Sequence, residues 1–327
     1  MNNIPKLLQK DRDELFQETA SLMNTTNAIV EKDFWVVWTL EKIFTDVRLK
    51  DILMFKGGTS LSKVFNLIGR FSEDIDLILD WNLVTNEDPY KKRDSKNKQN
   101  KFNEQLNQDA IVYINDILLP IISKLVGKYC KCSIGDDDKF SIIINYPSSF
   151  EDKALLPHIL LEIGPLASWL PSSTYEISPF VADKFPKLFK QPKCTVNTIV
   201  AKRTFWEKAT ILHQEVNRDE SKKIPLRHSR HYYDLAMMAQ SEVRDEALND
   251  IELLENVVEF KKLFYPSNWA NYEDAKVGTL RLLPPEFRYK ELKADYQSMQ
   301  NMIFDKKIEF EEIISVLKNL EEKINGN

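Results

Sequence analysis

Cysteine is scarce in this chain of 327 residues: Cys130, Cys132 and Cys194 are the whole complement. Their spacing forms neither a disulfide framework nor a zinc-ligand pattern, so reduced thiols are expected. No apolar run is long enough to cross a bilayer, and the opening stretch MNNIPKLLQKDRDEL has no hydrophobic signal core. A cytoplasmic protein with no membrane association is the resulting expectation. Excess basic charge is missing too: 45 Lys and Arg against 50 Asp and Glu give a formal net charge of −5. That disfavours blanket binding to nucleic acid while leaving room for a local basic patch. There is no internal repeat and no low-complexity segment. What remains is ordinary globular composition, 43% hydrophobic and 29% charged. The length allows one large or two modest domains.

The informative stretch is residues 52–80, ILMFKGGTSLSKVFNLIGRFSEDIDLILD. Ile52–Phe55 is a short apolar run ending near a glycine pair, which reads as a buried strand entering a tight turn. Leu61, Val64, Phe65 and Ile68 recur at helical spacing, so a helix over Thr59–Leu67 is expected, with Thr59 or Ser60 as N-cap. Asp74 to Leu79 returns to strand. Alternation then sends Asp74 and Asp76 to one face, with Ile75 and Leu77 on the other. Gly57 and Gly58 let backbone approach a bulky anion, and the following helix start offers free N–H groups. Two carboxylates beside a triphosphate repel it unless a hard cation intervenes. Mg²⁺ suits that place, since it takes one or two carboxylates together with substrate phosphates and water. Lys63 does not complete a P-loop, which needs four residues between its glycines and a Lys-Ser/Thr pair after the second.

Gly57-Gly58-Thr59-Ser60 followed by Asp74-x-Asp76 resembles the signature of the DNA polymerase β-type nucleotidyltransferase superfamily. The longer string FKGGTSLSK…RFSEDIDL is similar to the AbiEii/AbiGii-type toxin branch. Glu31–Val36 (EKDFWV), Phe205–Lys208 (FWEK) and Arg230–Leu235 (RHYYDL) resemble further family blocks, so the likeness covers roughly residues 30–240. It implies a metal-dependent enzyme that moves an NMP from an NTP to an acceptor, with Mg²⁺ or Mn²⁺ as cofactor. It also implies an RNA acceptor such as tRNA, and a cognate antitoxin as partner. The implied fold is α/β (α+β). A polymerase-β-like domain with a mixed central sheet spans residues 1–198, and a helical domain completing the active-site cleft spans 199–327. By resemblance, Asp74, Asp76 and Glu162 are the metal ligands, and Asp74, Asp76, Lys208 and Asp234 are catalytic. Lys56, Gly57, Gly58, Thr59, Ser60, Lys63, Arg227, Arg230 and His231 then bind the nucleotide. This chain departs from the family block at His231, where Arg-Asp-x-x-Asp is usual. Transfer to a protein or small molecule, or a non-catalytic nucleotide-binding module, are the alternatives. A kinase-like reading lacks the necessary loops.

Elsewhere the readings stay open. Residues 5–49 read as helical, with a broad apolar face from Phe34 to Phe44. Glu31, Lys32 and Asp33 are either a charged helix start or, by resemblance, residues facing the nucleotide. The polar stretch 86–109 holds Lys91, Lys92, Arg93, Lys96, Lys98 and Lys101. It is either a solvated mobile insertion or a phosphate-contacting arm. Ile111–Val126 reads as a helix, and residues 129–146 as a hairpin across Gly135–Asp138, a surface turn rather than an EF-hand. Glu162 sits in an apolar strand, 158–164, where a lone acid is costly to bury unless paired or metal-bound; an edge strand facing water is the alternative. Residues 172–195 read as loop or crossover. Lys208 is either a plain helix-surface lysine or a cation for the phosphates, and His231 either core-packed or pocket-lining. Arg227–Met238 reads as a helix with Arg227, Arg230, His231 and Asp234 on one face. Residues 241–327 read as amphipathic helices.

Overall fold

The computed structural model describes residues 1–153, 155–304 and 307–326. The chain divides into two compact units, one of residues 1–65 with 71–199, the other of residues 66–70 with 200–327. The first unit runs α1 (Gln9–Met23), α2 (Asn27–Thr45), β1 (Leu53–Lys56), α3 (Gly57–Lys63) and β2 (Ile75–Leu79). It continues with α4 (Lys96–Tyr113), α5 (Leu119–Val126), β3 (Lys131–Ile134), β4 (Ser141–Asn145) and β5 (Ile159–Gly164). It closes with β6 (Ser172–Ile177), α6 (Phe180–Lys184) and β7 (Cys194–Ile199). These strands form a mixed sheet in the order β3-β4-β5-β2-β1-β7-β6. β2 pairs antiparallel with β1 and parallel with β5, while β1 pairs parallel with β7. The expected mixed α/β class is what the chain adopts.

Helix α2 is the centre of this unit's core. Thr26 caps it, its hydroxyl accepting the Ile29 amide at 3.3 Å. A helix apolar around most of its circumference must be covered on every side, and α2 packs against α1, α5, α6, β5 and β7. Phe34, Trp35 and Trp38 stack edge to face along it, with centroids 5.3 and 5.4 Å apart. Leu53, Phe55, Ile75, Leu77 and Leu161 join the same core. The alternate residues Met54 and Ile78 pack with Ile199 in a separate small cluster. Alternation along β2 thus turns Ile75 and Leu77 inward and Asp76 away.

The structure corrects several expectations. Helix α2 begins at Asn27, so Glu31, Lys32 and Asp33 are no helix start; all three are buried in its second turn. Helix α3 begins at Gly57 and ends at Lys63, so neither Thr59 nor Ser60 caps it. Residues 172–195 are not a plain loop but contain β6, α6 and the start of β7. From residue 96 the basic stretch is helix α4, capped by Ser95, whose hydroxyl accepts the Lys98 amide at 3.3 Å. Gln99, Asn103, Leu106 and Ala110 form its buried face. Strand β5 lies between β4 and β2, so Glu162 is on an interior strand and not on an edge. The hairpin joins β3 and β4 as expected.

The second unit holds α7 (Ala201–Val216), α8 (Ser229–Ala239), α9 (Glu242–Leu248), α10 (Ile251–Phe264), α11 (Glu286–Met299) and α12 (Phe310–Asn325). Helix α8 packs against α7, α9, α11 and α12, burying Tyr232, Tyr233 and Leu235. Arg70 bridges antiparallel to Ile303, and the Phe304 amide donates to Gly69 O at 3.0 Å. Arg227 precedes α8 with φ +59°, so it is not on the helical face expected for it.

Candidate active site

The acids converge through strand register. Asp76 on β2 stands opposite Lys56 on β1 and opposite Glu162 on β5. One row across three neighbouring strands therefore carries a lysine and two carboxylates, with Asp74 just before β2. Burial pushes the Glu162 carboxyl up to about 8, reinforced by the charges of Asp76 and Asp74 and by a hydrogen bond to Asp76. Like charges in a partly desolvated place have this effect.

Gly57 belongs to the same spot. Its φ is +80°, and a Cβ added there would fall 1.9 Å from Asp76 Oδ2. No side chain is compatible with that close approach, so glycine is required both by backbone conformation and by the carboxylate above it. Gly58 follows inside α3. Thr59 and Ser60 are buried, and their hydroxyls are committed to backbone. Thr59 donates to Ser72 O at 3.1 Å and to Asp74 O, and Ser60 donates to Gly57 O at 2.8 Å. Lys63 pairs with Asp33 at 2.7 Å and lies 3.8 Å from the Phe180 ring centroid.

Asp33 also accepts the Phe180 amide at 2.7 Å, while Glu31 accepts the amides of Ser149 and Phe150 at 2.9 and 3.1 Å. Burial leaves the carboxyls of both Asp33 and Glu31 raised, these partners offsetting only part of it. Lys32 pairs with Glu73 at 2.5 Å. The charged triplet of α2 is thus tied to distant backbone within its own unit.

A second charged group lies in the helical unit. Asp234 receives Arg70 through Nε at 2.7 Å and Nη2 at 2.8 Å, and Lys208 at 2.7 Å. Burial alone would raise the Asp234 carboxyl, but Arg70 and then Lys208 hold it below the ordinary carboxylate range. Burial lowers Lys208, Asp234 opposing. Lys208 Nζ is 3.2 Å from His231 Nδ1. Burial, then the Lys208 charge, keep His231 well below its usual value, so it is neutral. Lys208 is buried and partnered, so the surface-lysine reading fails. Arg230 is half-buried on α8, while the Arg227 amide donates to Asp295 at 2.7 Å. Sequence reasoning missed Arg70 and Glu73. Both fall inside the quoted string RFSEDIDL, where acidic neighbours drew attention away from them.

The donor chemistry fits a hard cation, because the charges of Asp76 and Asp74 make Glu162 costlier to ionise and carboxylate oxygens are what such an ion takes. The three carboxylates do not form a closed protein cage. Among the described residues no group of three or more His, Cys, Asp or Glu side chains is arranged to hold a metal. An ion sharing carboxylates with substrate phosphates needs no such cage. Burial pushes the Cys130 and Cys194 thiols up to about 12.

Carboxylates on neighbouring strands beside a glycine at a helix start are compatible with a site that handles a nucleotide and a cation together. A family model described as nucleotidyl transferase AbiEii toxin, type IV TA system, matches residues 38–316, and the chain belongs to that family. Its activity is nucleotidyl transfer, as a toxin of a type IV toxin–antitoxin system. The match runs well past residue 240 and begins after the Glu31–Val36 block. No curated protein matches the chain. Among solved structures it is similar to MenT4, the nucleotidyltransferase toxin Rv2826c from Mycobacterium tuberculosis H37Rv. Identity is 14%, over 95% of this chain and 97% of that one, with a TM-score of 0.43. It is also similar to JHP933 from Helicobacter pylori, at 13% identity over 92% and 94% of the two chains, TM-score 0.45. No helix of the described residues is long and apolar enough to cross a membrane.

Proposed function

We propose that the chain transfers an NMP from an NTP to an RNA acceptor, tRNA in particular, with Mg²⁺ or Mn²⁺ as cofactor. Asp74, Asp76 and Glu162 would hold the ion, which supplies charge neutralisation on the triphosphate and orients it. The backbone amides after Gly57 and Gly58 would receive the phosphates. Lys56 offers a positive charge in the same row. An acceptor hydroxyl oxygen attacks the α-phosphorus in line; the new P–O bond forms as the α–β bridging bond breaks. Pyrophosphate departs, and the hydroxyl proton leaves to solvent. We assign residues 1–198 as the transfer domain and 199–327 as a helical domain serving the same reaction. In the latter, Lys208 supplies a cation to the phosphates and Asp234 orders Lys208. Arg227, Arg230 and His231 contribute to nucleotide binding. A cognate antitoxin and a cytoplasmic setting complete the proposal.

The single observation that carries this reading is the register row Lys56–Asp76–Glu162 with Gly57 pressed against Asp76. Acids within reach of one another's charge, beside a glycine held against one of them, would be relieved by a cation shared with an anionic substrate. Incubating the protein with each α-labelled NTP, total RNA and Mg²⁺ tests it. Label is expected in RNA, abolished by chelator. Label in protein instead would redirect the acceptor, and transfer undiminished by chelator would remove the metal.

A further inference from the structure

Glu73 immediately precedes Asp74, and its carboxylate is buried against α2. Its Oε2 accepts Lys32 Nζ at 2.5 Å and the Leu156 amide at 2.8 Å. The same ammonium donates to Leu156 O at 2.8 Å. One cation and one anion therefore hold both backbone polar groups of Leu156. That residue lies just before β5, the strand of Glu162. The other side of the junction is fixed as well, since Thr59 donates to the carbonyls of Ser72 and Asp74.

The chain leading into β2 and the chain leading into β5 thus meet at a single ion pair. Parallel pairing sets Asp76 opposite Glu162, and Asp74 lies just before the strand, next to Glu73. The ion pair adds a restraint at that junction, tying it to the chain that enters β5. Stability does not account for it, because a buried pair adds little over an apolar pair of similar volume. We propose that Lys32 and Glu73 are positioning residues for transfer. They set the spacing of Asp74 and Asp76 against Glu162 without touching substrate. The inference rests on the function proposed above.

The test is the double variant Lys32→Met with Glu73→Gln. It leaves no charge buried alone, and the glutamine oxygen still accepts the Leu156 amide. Thermal melting establishes the folded fraction, and rates are expressed per folded molecule. Displacing a reacting group by about an ångström costs on the order of 10²-fold, so kcat is expected to fall by about that factor. KM for the NTP should stay within about threefold. Mn²⁺ affinity, read by water-proton relaxation without NTP, should weaken by at least about tenfold, as loss of supporting groups around ligands does. Wild-type kcat and Mn²⁺ affinity in the folded double variant would overturn the proposal. Should that chain not fold, Glu73→Gln alone is predicted to lower kcat by about tenfold, and an unchanged kcat would overturn it equally. Asp76→Asn run in parallel separates the two levels. If it transfers at full rate, the metal reading itself falls; if it is inactive while the double variant is fully active, only the positioning role falls.

Discussion

Two sets of acids sit in the first unit, one buried and one half-buried, and they are treated in opposite ways. Glu31 and Asp33 on α2 and Glu73 before β2 are each given partners: amides, a lysine ammonium, or both. Asp74, Asp76 and Glu162 are placed within reach of each other's charge, and Glu162 shares a hydrogen bond with Asp76. The first arrangement is how a fold makes burial of charge tolerable. The second retains an electrostatic cost that a cation would relieve, as functional sites do at the expense of stability. Partnered acids hold the scaffold; the crowded ones are those proposed above to take the cation.

That contrast breaks most sharply at Asp76. Asp76→Asn should remove transfer by about a thousandfold or more, the upper range for losing a charge-stabilising group. It should also raise the melting temperature of metal-free protein by about 2–4 °C, on the scale of roughly 1 kcal/mol in a chain of this size. Labelled-NTP transfer and calorimetry check both. Asp33→Asn should do the reverse to stability. It leaves Lys63 buried without its ion partner, which costs roughly 3–5 kcal/mol, readable as a lowered denaturant midpoint. Stabilisation there would erase the distinction between the two sets.

A smaller effect sharpens the comparison from the helical unit. Burial lowers His213, His228 and His231 in the folded state. The unfolded chain therefore binds more protons below pH 6.5 than the folded one, and stability present above that pH is lost as pH falls. Each fully titrating histidine contributes about 1.4 kcal/mol per pH unit in that window. His231→Gln should flatten the slope between pH 6.5 and 5 in urea melts, and an unaltered slope would refute the assignment. The smallest expected effect is in the basic segment ahead of α4. Lys91→Glu with Lys92→Glu should weaken RNA binding by a few fold and reduce its salt slope by roughly 2, with NTP affinity unchanged. An unchanged RNA Kd returns those exposed lysines to plain solvated surface.

Much of the candidate site was legible because it is local. Gly57, Asp74 and Asp76 fall within one strand–helix–strand unit, where period-two alternation and a glycine pair carry the signal. What was illegible depends on long range. Glu31, Lys32 and Asp33 looked like a helix start because their partners are Ser149, Glu73, Leu156 and Phe180, some 41 to 147 residues away. Helix α4 was hidden because its buried face uses Gln99 and Asn103, hydrogen-bonded to each other at 2.9 Å, in place of apolar residues. Strands β6 and β7 were obscured by flanking prolines and polar alternation, SSTYEI and CTVNTI. Arg70 could not be linked to Asp234 from spacing at all, the two being 164 residues apart.

The most direct measurement is the thermal shift produced by Mn²⁺ in wild type and in Asp76→Asn, side by side. Crowded acids that await a cation predict a clear rise in melting temperature for wild type and none for the variant, whose metal-free form already melts higher. Equal rises in both proteins, or none in wild type, would contradict a cation site at Asp76.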